Sequence, residues 1–205
     1  MRKTKGRKIC IICEGYEEFD YIETLKSKGM FSNAYNFITV NAKSINTIIA
    51  RYQDRFQSSA YSLVLIFCDT DKGPSDKYKE IKKEINKLYG KDIADEIVIF
   101  GNPCTMQIIL SHFAEIKLTS QSKSVNSKFI KEYVGIDNYK ATDEQRKELF
   151  GKIKRSNYEK MKENVAKLST SDEDISSTNI LKFVERFEND DDSWIDEINS
   201  NVFNE

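Results

Sequence analysis

The sequence predicts an α/β protein with a mostly parallel four-stranded sheet flanked by helices. Three observations predict it. Strand and helix signals alternate through the first half of the chain, and this βαβα order implies parallel strands joined by helical crossovers. Residues 9–13 and 63–68 are uninterrupted apolar runs, the pattern of central strands covered on both faces. Both runs end in acids, Glu14 after the first and Asp69 after the second.

In chain order, the first strand covers about residues 8–13. A helix at 17–28 follows, with Phe19, Ile22 and Leu25 on one stripe. The second strand is 36–41, and the next helix carries Ile45, Ile48, Ile49, Tyr52 and Phe56 at helical spacing. The third strand is 62–68. Pro74 and Asp76 open a helix bearing Tyr78, Ile81, Ile85 and Leu88, which Gly90 closes. The fourth strand is 96–100, after which Gly101-Asn102-Pro103 turns into a helix reaching about Ile116.

Beyond Lys117 no strand signal is found. Residues 121–131 are polar, 143–168 read as one long lysine-rich helix, and 169–178 read as a loop. Ile180, Phe183, Val184 and Phe187 mark a short amphipathic helix ahead of the acidic run 190–192. Trp194, Ile195, Ile198, Val202 and Phe203 are expected to cap the body or meet a partner. The expected organisation is a 1–117 α/β domain and a 118–205 helical extension with an acidic C-terminal tail.

Composition narrows the class. The chain has 205 residues, 32% charged and 39% hydrophobic, which suits a water-exposed globular protein. No apolar run approaches the ~18 residues of a membrane span. The basic start (Arg2, Lys3, Lys5, Arg7, Lys8) leads straight into a strand without the apolar core of a signal peptide, so a cytoplasmic location and no membrane partner are expected. Cys10 and Cys13 fall on opposite faces of one strand, which predicts buried thiols rather than a zinc or redox pair. The net charge of −1 is unevenly spread: residues 172–205 hold eleven acids and two bases, and the remainder 30 bases and 22 acids. A basic body suits a nucleic-acid partner, with the acidic tail shielding or regulating it.

The chemistry centres on the strand ends, where open α/β sheets bind ligands. Asp69 and Asp71 stand two apart, and residues at i and i+2 of an extended chain face the same side. Converging carboxylates suit a hard cation, Mg²⁺ or Mn²⁺. Glu14 is placed to join them, and Gly15 lets a backbone or phosphate come close. Glu17, Glu18 and Asp20 fall in a helix first turn, where acids also balance the helix dipole. Lys72 is a candidate for stabilising phosphate charge, and Asn102 for binding a phosphate or capping a helix. His112, the single histidine, is a candidate general acid or phosphate donor.

A glutamate after strand 1 and Asp-x-Asp-x-Gly after strand 3 resemble the TOPRIM domain, over roughly residues 8–115. Within that group the chain is similar to RloB-like proteins, relatives of OLD-type nucleases. The resemblance rests on Glu14-Gly15-Tyr16-Glu17-Glu18, on Asp69-Thr70-Asp71, and on Asn102-Pro103-Cys104 through His112. It implies a Mg²⁺-dependent nuclease with Glu14, Asp69 and Asp71 as catalytic metal ligands, His112 as a further catalytic residue, and Gly15, Lys72 and Asn102 near the substrate. It also implies a bacterial anti-phage role beside an ATPase. The chain has no G-x-x-x-x-G-K-[ST], so that P-loop ATPase would be a separate subunit. Thr105-Met106 stand where the family has Phe-Glu, and one family carboxylate has no counterpart. The alternative is therefore a catalytically degenerate subunit that binds a partner ATPase or nucleic acid. A glycosyltransferase would use Asp-x-Asp but explains neither Glu14-Gly15 nor the basic body.

Overall fold

The computed structural model describes residues 6–71 and 74–200. Lys72, Gly73, Val202 and Phe203, like the basic residues before Gly6, lie outside the described residues. The chain folds as α/β, with a five-stranded sheet in the order β2-β1-β3-β4-β5. β1 (Arg7–Cys13), β2 (Tyr35–Asn41), β3 (Leu63–Asp69) and β4 (Val98–Asn102) are mutually parallel. The expected four strands are joined by β5 (Ser177–Thr178), antiparallel to β4. Two polar residues carry no periodic signal, so this edge strand falls inside what reads as a loop, and the region after Lys117 is not wholly helical.

Residues 9–13 alternate between the two faces of the sheet, yet all are wholly buried, so helices cover both sides. These include α1 (Tyr16–Ser27), α2 (Ile48–Phe56), α3 (Asp76–Tyr89), the single-turn α4 (Ala94–Ile97) and α5 (Met106–Ser111). Ser75 caps α3 by accepting from the Tyr78 amide, and Gly90 ends it at φ 66°, a left-handed turn that favours glycine. The polar stretch after residue 120 is helical, as α6 (Lys123–Val134). The expected long helix is broken into α7 (Asp143–Gly151) and α8 (Arg155–Val165). The break follows Gly151 and lets Ile153 bury completely. All four cysteines are buried and unpaired.

The C-terminal stretch is part of the core. In α9 (Ile180–Glu188), Ile180, Phe183, Val184 and Phe187 are fully buried. Asn179 extends the edge of β4 with its side chain, accepting from the Phe100 amide at 3.0 Å and donating to the Val98 carbonyl at 2.8 Å. Ahead of and within α10 (Ser193–Asn199), the acids are tied to the start of β1: Arg7 pairs with Asp192 at 2.9 Å and with Asp196 at 2.5 Å. Trp194 Nε1 donates to Tyr35 Oη at the start of β2. Asp192 and Asp196 thus sit at the opposite end of the sheet from Glu14 and Asp69. Among the described residues, no helix is long and apolar enough to cross a membrane.

Candidate functional site

The strand order creates the site. The chain runs from β1 outward to β2, then crosses back to place β3 on the other side of β1. Between the carboxyl ends of β1 and β3 the connections diverge, which leaves a crevice at a topological switch point. Glu14 directly follows β1, and Asp69 is the last residue of β3.

Backbone pairing carries the two acids into contact. Cys13 is in register with Phe67, and the Glu14 amide continues the ladder to the Phe67 carbonyl at 2.9 Å. Glu14 Oε2 then accepts the Asp69 amide at 3.0 Å. On the far side of β3, Asp69 pairs with Gly101. A Cβ on Gly101 would lie 2.8 Å from the Cys104 carbonyl oxygen, so only glycine lets the chain fold back over the tip of β4. That fold-back brings Thr105 to Asp69: its amide donates to Oδ1 at 2.6 Å and its hydroxyl at 2.8 Å. Glu18, buried on the first turn of α1, accepts the Gly15 amide at 2.9 Å.

The acids crowd one another. Burial pushes the Glu14 carboxyl up to about 7, with Glu18 and Asp71 adding to the rise and the Asp69 amide opposing it. Asp69 is raised well above the usual carboxylate range by burial and then by Glu18 and Glu14, against the two Thr105 hydrogen bonds. Burial also raises Glu18. Glu17 rises by burial and by Glu18, although Tyr139 Oη donates to it at 3.0 Å. Among the described residues, none of Glu14, Glu17, Glu18, Asp69 and Asp71 forms an ion pair with lysine or arginine.

Asp71 reaches the site by a different route from the expected one. β3 ends at Asp69, and Asp71 sits in a left-handed turn at φ 63°, a conformation that Asp tolerates better than most residues. It still lines the same cleft as Asp69, of about 230 Å³, together with Glu17, Thr105, Lys123 and Lys140. A second cleft, of about 300 Å³, holds Glu14, Gly15, Tyr16 and Lys43 and shares Asp69, Lys123 and Lys140 with the first.

Two of the expected residues are placed elsewhere. His112 is wholly buried, with Nε2 3.0 Å from Tyr21 Oη, and the Tyr158 ring centroid is 6.2 Å away. Burial pushes it down to about 3, so it stays neutral, and it lines neither cleft that holds Asp69. Asn102 is buried, and its Nδ2 donates to the Asp172 and Asp174 carbonyls at 2.8 and 3.0 Å. It anchors the segment leading into β5. Lys72 lies outside the described residues.

Sequence reasoning missed Thr105, Lys123, Asn126, Tyr139 and Lys140. Thr105 had a signal, because it stands at the point where the family pattern is broken. The others come from a polar stretch without a motif and meet the acids only through the packing of α6 and the loop after it. No protein-family model, curated protein or solved structure matches the chain.

Proposed function

We propose that the chain is a TOPRIM-like phosphodiesterase that cleaves nucleic acid with Mg²⁺ or Mn²⁺. One observation carries the reading: Glu14, at the end of one central strand, accepts the backbone amide of Asp69 at the end of the next, in a switch-point crevice where no lysine or arginine among the described residues pairs with either acid. Like charges held this close are stabilised by protons or by a metal.

The donor set fits a hard cation. Glu14 Oε2 and Asp69 Oδ1 are taken by backbone and threonine donors, which fix each carboxylate and leave its second oxygen for a ligand. Glu14 and Asp69 would hold the ion between them, while Asp71 lines the cleft of Asp69 and not that of Glu14. Bound there, a divalent cation supplies a Lewis acid for the phosphate and lowers the pKa of an attacking water. The protein's own part is to orient and to neutralise. Thr105 sets the rotamer of Asp69, while Lys123 and Lys140 on the cleft walls attract the phosphodiester backbone.

A second reading has its own support. Among the described residues, no group of three or more His, Cys, Asp or Glu side chains stands arranged to hold a metal, and the position where the family has an acid is taken up by Thr105-Met106. That favours a subunit that binds nucleic acid or a partner ATPase without cutting. Incubating labelled DNA and RNA with the protein in Mn²⁺, Mg²⁺ or EDTA separates the two. Metal-dependent cleavage that Asp69→Asn abolishes supports the enzyme. Binding with no cleavage in either metal supports the subunit.

A further inference from the structure

The surroundings of the acids say what form of nucleic acid they would meet. Three large apolar side chains are exposed among the described residues, Tyr16, Tyr133 and Ile175, and Tyr16 stands next to Gly15 on the rim of the cleft that holds Glu14. Tyr16 is 54% exposed. The Arg146 guanidinium lies 4.9 Å from its ring centroid, fixed there by Asp20 at 2.6 Å and by Asp143. The ring is thus backed by a held cation and open to solvent, which is the form of a base-stacking platform.

The clefts continue into a third, of about 500 Å³, along α6 and the following loop, which shares Lys123, Tyr139 and Lys140 with the first and adds Lys128. Lys43, Lys123, Lys128 and Lys140 line these connected clefts, and no salt bridge engages any of them among the described residues, whereas Lys162 and Lys182 elsewhere are each held by a glutamate. Asn126 is only 6% exposed and lines the first cleft together with Lys123. Its Nδ2 meets Cys104 Sγ at 3.5 Å, and its Oδ1 has no hydrogen-bond partner. That oxygen is closed off from solvent, so Asn126 shapes the wall of the cleft.

We infer that Tyr16 and the lysines of α6 form a track for single-stranded nucleic acid, with one base unstacked onto Tyr16 and the backbone led past Asp69 along Lys123 and Lys128. In a duplex the bases are stacked on each other, and none is free for Tyr16. The loop that carries Tyr139 bonds Glu17 at 3.0 Å and lines the same cleft as Asp69. The inference deepens the proposed phosphodiesterase reading and rests on it for where the cut falls.

The test is fluorescence anisotropy in EDTA, with a short labelled oligonucleotide in single-stranded DNA, single-stranded RNA and duplex forms. The single strands should bind more tightly than the duplex, and a preference between DNA and RNA reports only on the sugar. Tyr16→Ala should weaken single-strand binding on the order of tenfold, while Tyr16→Phe keeps it. The double change Lys123→Ala and Lys128→Ala should reduce the slope of log affinity against log salt by about 0.7 for each phosphate that is no longer neutralised. Equal or tighter duplex binding, or wild-type affinity in Tyr16→Ala, overturns the track. The two readings fail separately. Single-strand binding without cleavage in Mn²⁺ removes the enzyme and keeps the track, whereas indifferent cleavage of duplex and single strand keeps the enzyme and removes the track.

Discussion

Glu14 Oε2 accepts the Asp69 amide at 3.0 Å, so the acid that ends one central strand caps the end of its neighbour. This bond makes the two acids a single unit: a shift of β3 against β1 would break it, and protonation of either acid is felt by the other.

The pair predicts a pH dependence. Glu14 rises from 4.5 to about 7 on folding, so between those values the folded chain binds more protons than the unfolded one. Stability is then greatest at or below pH 4.5 as far as Glu14 is concerned, and falls as pH rises through about 7. The loss has an upper bound of about 3 kcal/mol. Thermal melts in EDTA from pH 5 to 8 should show the melting temperature falling by several degrees, and Glu14→Gln should make that fall smaller. A wild-type melting temperature independent of pH over that range would contradict the burial of this carboxyl.

Gly101 is expected to tolerate no side chain. In Gly101→Ala the new Cβ would lie 2.8 Å from the Cys104 carbonyl oxygen, and that backbone cannot move without carrying Thr105 off Asp69. The change should cost about 1–3 kcal/mol, measured by urea denaturation. The contrast is Gly151→Ala, where a Cβ meets nothing within 4 Å.

His112 should matter for stability and not for chemistry. It is wholly buried against Tyr21. His112→Gln disturbs that bond and is expected to lower stability by about 1–3 kcal/mol. Cleavage per folded molecule should stay at the wild-type level, and a pH–rate profile should not change shape. A selective loss of rate at unchanged stability would return His112 to the site.

The parts of this molecule legible in its sequence are those dictated locally. Residues 9–13 and 63–68 were legible as buried strands because each apolar run is too short for a buried helix and alternates with helical patterns, and their ends placed Glu14 and Asp69. The route of Asp71 was not legible, because the strand stops at Asp69 and a left-handed turn replaces the extended geometry. β5 was hidden because two residues have no period, and its place is set by Asn102 gripping the carbonyls of Asp172 and Asp174. The break between α7 and α8 did have a signal in Gly151. Lys123, Asn126 and Lys140 had none, since their closeness to Asp69 exists only after α6 packs beside the crevice. His112 reads as a site candidate from its place in the motif pattern, and the structure buries it against Tyr21 instead.

The central claim is that Glu14 and Asp69 form a cation site, and calorimetric titration of Mn²⁺ at pH 8 into metal-free protein tests it most directly. Glu14 is mostly ionised at that pH, so wild type should show saturable binding, which Glu14→Gln and Asp69→Asn should each abolish while melting as cooperatively as wild type. No binding to wild type, or unchanged binding to Asp69→Asn, would contradict the account.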